Sequence, residues 1–125
     1  MPVDPTRGDV RRFVSEDDGG PVAMLNLLRF ADGGRASYDR YIAAATPAIE
    51  NAGARTLYAG DCSTPLVAND GQDWDAVLLI WYPSRAAFLT MIKDPAYQAI
   101  THLRAEGLED AVLQATTPWS PDPGR

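Results

Sequence analysis

The sequence predicts one α+β domain whose elements follow in the order strand, helix, strand, strand, helix, strand. Two almost wholly apolar runs carry this prediction, V-A-M-L-N-L-L-R-F at 22–30 and W-D-A-V-L-L-I-W-Y at 74–82. Such runs are typical of strands that are covered on both faces. Between them, residues 38–52 place apolar side chains at helical intervals, as an amphipathic helix does.

The first strand, Val22 to Phe30, is interrupted at its centre by Asn26. Side chains alternate between the two faces of a strand, so Asn26 shares its face with Met24 and Leu28. A buried amide costs about 1–3 kcal/mol unless it finds partners. We therefore expect either a neighbouring group that satisfies Asn26 or a cavity beside it that holds water or a ligand.

The first twenty residues are polar and are predicted to form a leader arm. Val10, Phe13 and Val14 lie at helical spacing after Thr6, so both a short helix and an irregular arm are open. After the turn at 32–34, Ser37 is the predicted N-cap of a helix from Tyr38 to Ala52. Pro47 inside this helix is expected to kink it or to disturb its hydrogen bonds.

The second strand is predicted from Arg55 to Leu66, with a bulge at Gly60. The turn Asn69-Asp70-Gly71 then joins it to the third strand, Trp74 to Tyr82, as a hairpin.

Two caps divide the second helical region. Ser84 is predicted to cap a helix, and Asp94-Pro95 to begin a further helical piece that runs to about Ala105. A short fourth strand, Ala111 to Thr116, precedes a Pro-rich tail at 117–125 that cannot continue a sheet.

This order of elements is the ferredoxin-like β-α-β-β-α-β arrangement, in which helices cover one face of the sheet. The other face is apolar as well, since Val77, Leu79 and Trp81 alternate with the residues of the covered face. A wide exposed apolar face indicates a binding surface. We expect a second copy of the same sheet to cover it, which makes the protein a homodimer.

Several segments of the chain form a recognisable series: N-L-L-R-F followed by Y-x-x-Y, then W-D-A-V-L-L-I-W-Y-P-S-R-A-A-F, D-P-A-Y-Q-A-I and H-L-R-A-E-G-L-E. This series resembles one bacterial family, catalogued as domain of unknown function 1330. The resemblance covers residues 21–116 and leaves out the arm and the tail. It implies the dimeric α/β-barrel superfamily, in which two ferredoxin-like sheets enclose small pockets, but it implies no particular reaction.

The composition excludes several classes of protein. A chain of 125 residues with a net charge of −6 and no cluster of Lys and Arg is not expected to bind nucleic acid. No apolar run reaches the roughly 20 residues that span a bilayer, and the N-terminal residues lack the apolar core of a signal peptide. With one cysteine and one histidine, we expect a cytoplasmic protein without a metal, a cofactor or a membrane contact.

Three residues are the candidate catalytic groups. Histidine is the residue type whose unperturbed pKa lies near neutrality, so His102 is the natural acid or base, although a histidine near a helix end often serves only as a hydrogen-bonding partner. Arg104 is a fixed cation that could hold a carboxylate or enolate oxygen. Asn26 could donate to a ligand carbonyl. We expect His102 and Arg104 at the mouth of a pocket floored by Asn26, which requires a loosened helical turn because two residues span about 200° of a helix.

Four aromatic residues are candidate ligand contacts, although aromatic residues on strands more often belong to the core. They are Tyr58, Trp74, Trp81 and Tyr82. The leading hypothesis is a small-molecule-binding protein or cofactor-independent enzyme that takes a compact, partly apolar, oxygen-bearing ligand; the resemblance makes monooxygenase, isomerase or cyclase chemistry the expected type. The alternative is a non-catalytic ligand-binding or stress-associated dimer. A haem-binding oxygenase that uses Asn26, Trp81 and His102 is a third hypothesis.

Overall fold

The computed structural model of the protein describes residues 3–119. Four strands form one antiparallel sheet in the order β2-β3-β1-β4. The strands are β1 (Val22–Phe30), β2 (Arg55–Asp61), β3 (Ala76–Tyr82) and β4 (Leu108–Thr116). The helices are α1 (Arg7–Ser15), α2 (Arg35–Asn51), α3 (Arg85–Lys93), α4 (Pro95–Gln98) and α5 (Thr101–Gly107). This is the predicted ferredoxin-like α+β topology.

The central strand β1 has the predicted bounds, and it pairs with β3 on one side and with β4 on the other. The hairpin of β2 and β3 is also confirmed. However, β2 ends at Asp61 rather than at Leu66, because the chain leaves the sheet ahead of Pro65, which has no N–H to donate. The strand β3 begins at Ala76 rather than at Trp74.

The bulge predicted at Gly60 lies elsewhere. The register of β2 against β3 shifts between Thr56 and Tyr58, so Leu57 is the extra residue, while Gly60 pairs regularly with Val77. The bulge turns Thr56 towards the helices and Tyr58 towards the opposite face of the sheet.

The helix α2 begins earlier than predicted, because Gly34 and not Ser37 precedes its first turn. The Ser37 hydroxyl instead accepts a hydrogen bond of 3.0 Å from Arg40 Nη2. Pro47 lies inside α2 without ending it. Ser84 and Asp94 are N-caps as predicted, and their side chains accept from the N–H groups of Ala87 and Ala96.

The leader contains a helix, α1, which begins with a capping box between Thr6 and Asp9. Its Phe13 ring packs against Phe88 of α3 with the ring centroids 5.5 Å apart. Arg85 Nη1 donates to the Phe13 carbonyl at 2.9 Å. These contacts fix α1 on the helical side of the sheet, where it lies beside α3.

The core lies between the sheet and the helices and contains buried residues from both, including Val22, Leu28, Tyr38, Ala45, Ile80, Phe88 and Met91. On the opposite face, Leu25, Leu27, Val77, Leu79 and Trp81 are only partly buried. Within residues 3–119, no helix covers this face, which we call the open face.

Gly34 and Gly107 bring the start of α2 against the junction of α5 and β4. A Cβ atom on Gly107 would lie 2.8 Å from the Gly34 carbonyl oxygen, and one on Gly34 would lie 2.9 Å from the Gly107 carbonyl carbon. The Ala31 N–H donates to the Gly107 carbonyl at 3.0 Å. Only glycine permits such a close approach of two backbones.

Arg29 ties the connection between β2 and β3 to the sheet. Its guanidinium donates to the carbonyl oxygens of Gly71 and Asp73 at 2.9 and 3.0 Å and lies 4.9 Å from the centre of the Trp74 ring. It also pairs with Asp110 of β4 at 3.3 Å. Within the described residues, none of the helices is both long and apolar enough to cross a membrane.

Candidate functional site

A cavity of about 360 Å³ lies between the helical face of the sheet and the helices α2 to α5. Its walls are mainly apolar and include Met24, Ile42, Ile49, Ile80, Phe88, Met91 and Leu113. A few polar side chains reach the same space: Asp4, Asn26, Tyr38, Tyr41, Tyr82, Tyr97, Gln98, Thr101 and Arg104. An apolar cavity with a few convergent polar groups is the usual form of a small-molecule site.

Arg104 is the cationic side chain of this cavity, and it is buried, with 7% of its surface exposed. Its Nη1 donates to the Val3 carbonyl and lies 3.5 Å from Asp4 Oδ1. Its Nη2 is buried and has no acceptor within residues 3–119. A buried cation with an unused donor is costly to maintain, and a ligand oxygen would satisfy it.

Tyrosine hydroxyls form a second polar group in the cavity. The Tyr41 and Tyr97 oxygens lie 2.6 Å apart in a buried hydrogen bond. Burial raises the pKa of Tyr38 to about 12 and also raises the pKa values of Tyr41 and Tyr82. These three side chains therefore remain protonated near neutral pH, so they can donate hydrogen bonds but cannot act as phenolate bases.

These shifts predict a loss of stability at alkaline pH. A group whose pKa is raised by folding contributes its full stabilisation at pH values below its pKa in the unfolded state, which is about 10 for tyrosine. This contribution is lost as the pH rises through the pKa of the folded state. For Tyr38, a rise from 10.0 to about 12 corresponds to about 3 kcal/mol. We expect urea midpoints to fall between pH 10 and 12, and Tyr38→Phe to lessen the fall. An identical fall in Tyr38→Phe would contradict this assignment.

Asn26 lies in the floor of the cavity and is 8% exposed. Its Nδ2 donates to the Met24 carbonyl at 3.3 Å. The first alternative raised by the sequence is found, because the amide has a backbone partner, and the amide also borders a cavity.

The structure does not bring His102 to this cavity. Arg104 is buried and lines it, whereas His102 is exposed and is absent from its lining. The turn of α5 is regular, so the separation of about 200° between the two positions points their side chains apart. The expected pair of His102 and Arg104 at one pocket mouth is therefore not found.

Of the four aromatic candidates, only Tyr82 lines the cavity. Tyr58 is 61% exposed and turns to the open face after the bulge. Trp74 precedes β3 and packs against Arg29. Trp81 belongs to the open face because it alternates with Tyr82 along β3.

The three residues of the haem hypothesis are not assembled either. Asn26 faces the helices, Trp81 lies on the other face of the sheet, and His102 is exposed outside the cavity. These residues do not fit one haem pocket. Within residues 3–119, no three His, Cys, Asp or Glu side chains cluster as a metal site would require.

Several residues that line the cavity are not among the candidates that the sequence predicts. Tyr38, Tyr41 and Tyr97 belong to apolar helical stripes, but tyrosine in such a stripe brings a hydroxyl that needs a partner when it is buried. That signal was present in the sequence. Asp4 gave no signal, because its contact with Arg104 spans 100 residues of chain.

Comparisons with known proteins agree with this fold. The model of a family described as a domain of unknown function (DUF1330) matches residues 28–116. A protein of unknown function from Rhodopseudomonas palustris is 31% identical, with a TM-score of 0.87 over 95% of this chain and 98% of that one. No curated protein matches the chain.

More distant solved structures share the fold alone. A dimeric protein of unknown function with a ferredoxin-like fold from Bacteroides fragilis is 14% identical, with a TM-score of 0.55 over 78% of this chain and 95% of that one. A hydroxynitrile lyase from Passiflora edulis is 16% identical, with a TM-score of 0.62 over 78% of this chain and 93% of that one.

Proposed function

The chain belongs to the family described as a domain of unknown function (DUF1330), and we propose that it is a homodimeric, cytoplasmic small-molecule-binding protein. The ligand occupies the cavity between the sheet and the helices, and it is compact and partly apolar, with at least one oxygen. The observation that carries this proposal is the buried Nη2 of Arg104, which lacks an acceptor beside an apolar cavity. The Tyr41–Tyr97 hydroxyl pair and the Asn26 amide supply further hydrogen-bonding groups.

Binding is favoured over acid–base catalysis by the same geometry. Histidine is the residue type best suited to acid–base chemistry near neutral pH, but His102 lies outside the cavity. Tyr38, Tyr41 and Tyr82 are held in the protonated form. The distant hydroxynitrile lyase shares only the fold, so it gives no reason to place lyase chemistry in this cavity.

Two neighbouring residues of α5 offer a matched test of the cavity. Thr101 lines it, whereas the exposed His102 beside it does not. We expect some members of a set of compact acids, amides, ketones and lactones to raise the melting temperature of the wild-type protein and of His102→Trp. Thr101→Trp should abolish this effect, because its indole would fill the cavity mouth.

Native mass spectrometry of the protein purified from cells checks the same point without a chosen compound. A retained small molecule should be present in the wild-type protein and in His102→Trp but absent from Thr101→Trp. The proposal fails if no compound of the set binds and nothing is retained. It also fails if the two tryptophan variants lose the ligand equally.

Dimer formation is supported by the open face, whose partly buried apolar side chains extend across β1 and β3. The Bacteroides fragilis neighbour is described as dimeric. Stable interfaces bury about 800 Å² per partner, and a second copy of the sheet would supply this area. Light scattering at micromolar concentration should give twice the protomer mass of 13.5 kDa, and a mass near 13.5 kDa would exclude the dimer.

A further inference from the structure

We propose that the ligand carries a carboxylate that binds Arg104, and that the segment Val3–Pro5, through Asp4, is an internal competitor for the same guanidinium. This inference rests on the proposed function and adds the chemical class of the ligand. It also assigns a role to the start of the leader, which the family match at residues 28–116 does not include.

The first step is the incomplete pairing of Arg104. Buried arginines are almost always paired, and an arginine–carboxylate pair in good geometry has an N···O distance of about 2.7–2.9 Å. Here the carboxylate beside Arg104 is that of Asp4, at 3.5 Å, and the Asp4 side chain is 68% exposed. Arg104 Nη2 remains without an acceptor. The space beside this buried guanidinium could therefore hold a carboxylate in a better position than that of Asp4.

The second step concerns the groups around the guanidinium. Its charge opposes the rise in the pKa values of Tyr38 and Tyr41, which places both hydroxyls within electrostatic reach of Arg104. Both hydroxyls are protonated near neutral pH and can donate. Among the described residues that line the cavity, Asp4 is the only acidic one. A cation, phenol donors and an apolar wall together favour an anion with a compact apolar body.

The third step is that the competing segment can move independently of the rest of the leader. The side-chain hydrogen bonds described for residues 3–5 go to Arg104 alone. The helix α1 is held separately, by Phe13 on Phe88 and by Arg85 on the Phe13 carbonyl. The segment also borders a second cavity of about 490 Å³ beneath α1. Displacing Val3–Pro5 would therefore break its contacts with Arg104 and the packing of Val3 against the core, and it would leave α1 docked.

Calorimetric titration with matched acids and amides tests the proposal. The probes are benzoate and butyrate, each compared with its neutral amide. We expect a carboxylate to bind the wild-type protein about tenfold more tightly than its amide, because only the carboxylate can make a charge-assisted pair with the guanidinium. Asp4→Asn should tighten binding of the carboxylate about threefold or more and leave the amide unchanged, since the competing charge is removed.

Two further variants separate this effect from net charge and from folding. Glu50→Gln removes one negative charge from an exposed position outside the cavity lining, and it should change neither affinity. Arg104→Lys keeps the charge but loses the planar fork, and it should weaken carboxylate binding about tenfold. Asp4 is exposed, so Asp4→Asn should fold even if Arg104→Lys does not. The affinities of Asp4→Asn then decide whether the carboxylate assignment holds.

Three outcomes would overturn the inference. They are equal affinity for acid and amide, a failure of both carboxylates to bind, and carboxylate binding in Asp4→Asn that is unchanged or weaker. If a neutral compound still binds and is lost in Thr101→Trp, the proposed function stands and only the carboxylate assignment fails. If nothing binds in either experiment, the proposed function fails as well.

Discussion

Replacing Gly34 by alanine is expected to lower the free energy of unfolding by about 3 kcal/mol or more, a large part of the stability of a domain of this size. The added Cβ would collide with the backbone of Gly107, and neither its carbonyl carbon nor its carbonyl oxygen can move aside as a side chain does. The start of α2 and the end of α5 would have to separate. This would displace Tyr38 and Arg104, which both line the cavity.

Gly8→Ala is the matched control. A Cβ at Gly8, inside α1, would meet its nearest atom at 3.8 Å, which is ordinary contact. Alanine also favours a helix over glycine by about 0.5–1 kcal/mol, so this change should be neutral or stabilising. Urea unfolding measures both. If Gly34→Ala is as stable as Gly8→Ala, the backbones do not approach as closely as described.

Replacing Leu79 by glutamate should convert the proposed dimer into a monomer. Leu79 pairs with Leu25 on one side and with Tyr58 on the other, near the middle of the open face. A carboxylate buried there without a partner costs several kcal/mol, and about 4 kcal/mol weakens association roughly a thousandfold. Light scattering should then give 13.5 kDa.

The control for this variant is Ala44→Glu, which adds the same charge to an exposed position of α2. It should retain the mass of the wild-type protein. Circular dichroism must show that Leu79→Glu remains folded, since the substitution is meant to act on association alone. A dimeric Leu79→Glu would show that the open face is not the interface.

The bounds of β1 could be predicted because local signals agreed there: an apolar run interrupted only by Asn26 and Arg29, a Gly-Gly loop before it and a turn after it. The bulge could not be placed, because Gly60 and Leu57 are distinguished only by the pairing of β2 with β3. The end of β2 was overestimated for a related reason. Leu66 and Val67 are apolar, which favours the prediction of a strand, but both side chains are almost fully exposed.

The sequence indicated a residue of the candidate site only where a single residue stands out from its neighbours. Asn26 stands out in an apolar strand, and Arg104 stands out as a fixed cation near the end of the last predicted helical piece. The role of His102 was inferred from its chemistry, but its orientation is set by the regular turn of α5. The contact of Arg104 with Asp4 depends on where a distant segment packs, and no local pattern encodes that position.

The contacts of Arg29 determine how readily residues can be inserted between β2 and β3. Its bonds to Gly71 and Asp73, with the Cys62 N–H donating to the Asp75 carbonyl at 2.9 Å, fix both ends of the connection between β2 and β3. Residues 63–68 between these anchors are exposed. Added length in an exposed loop with fixed ends costs little, about 0.6 kcal/mol for each doubling. The segment is therefore a permissive place for inserting a reporter peptide or a whole domain.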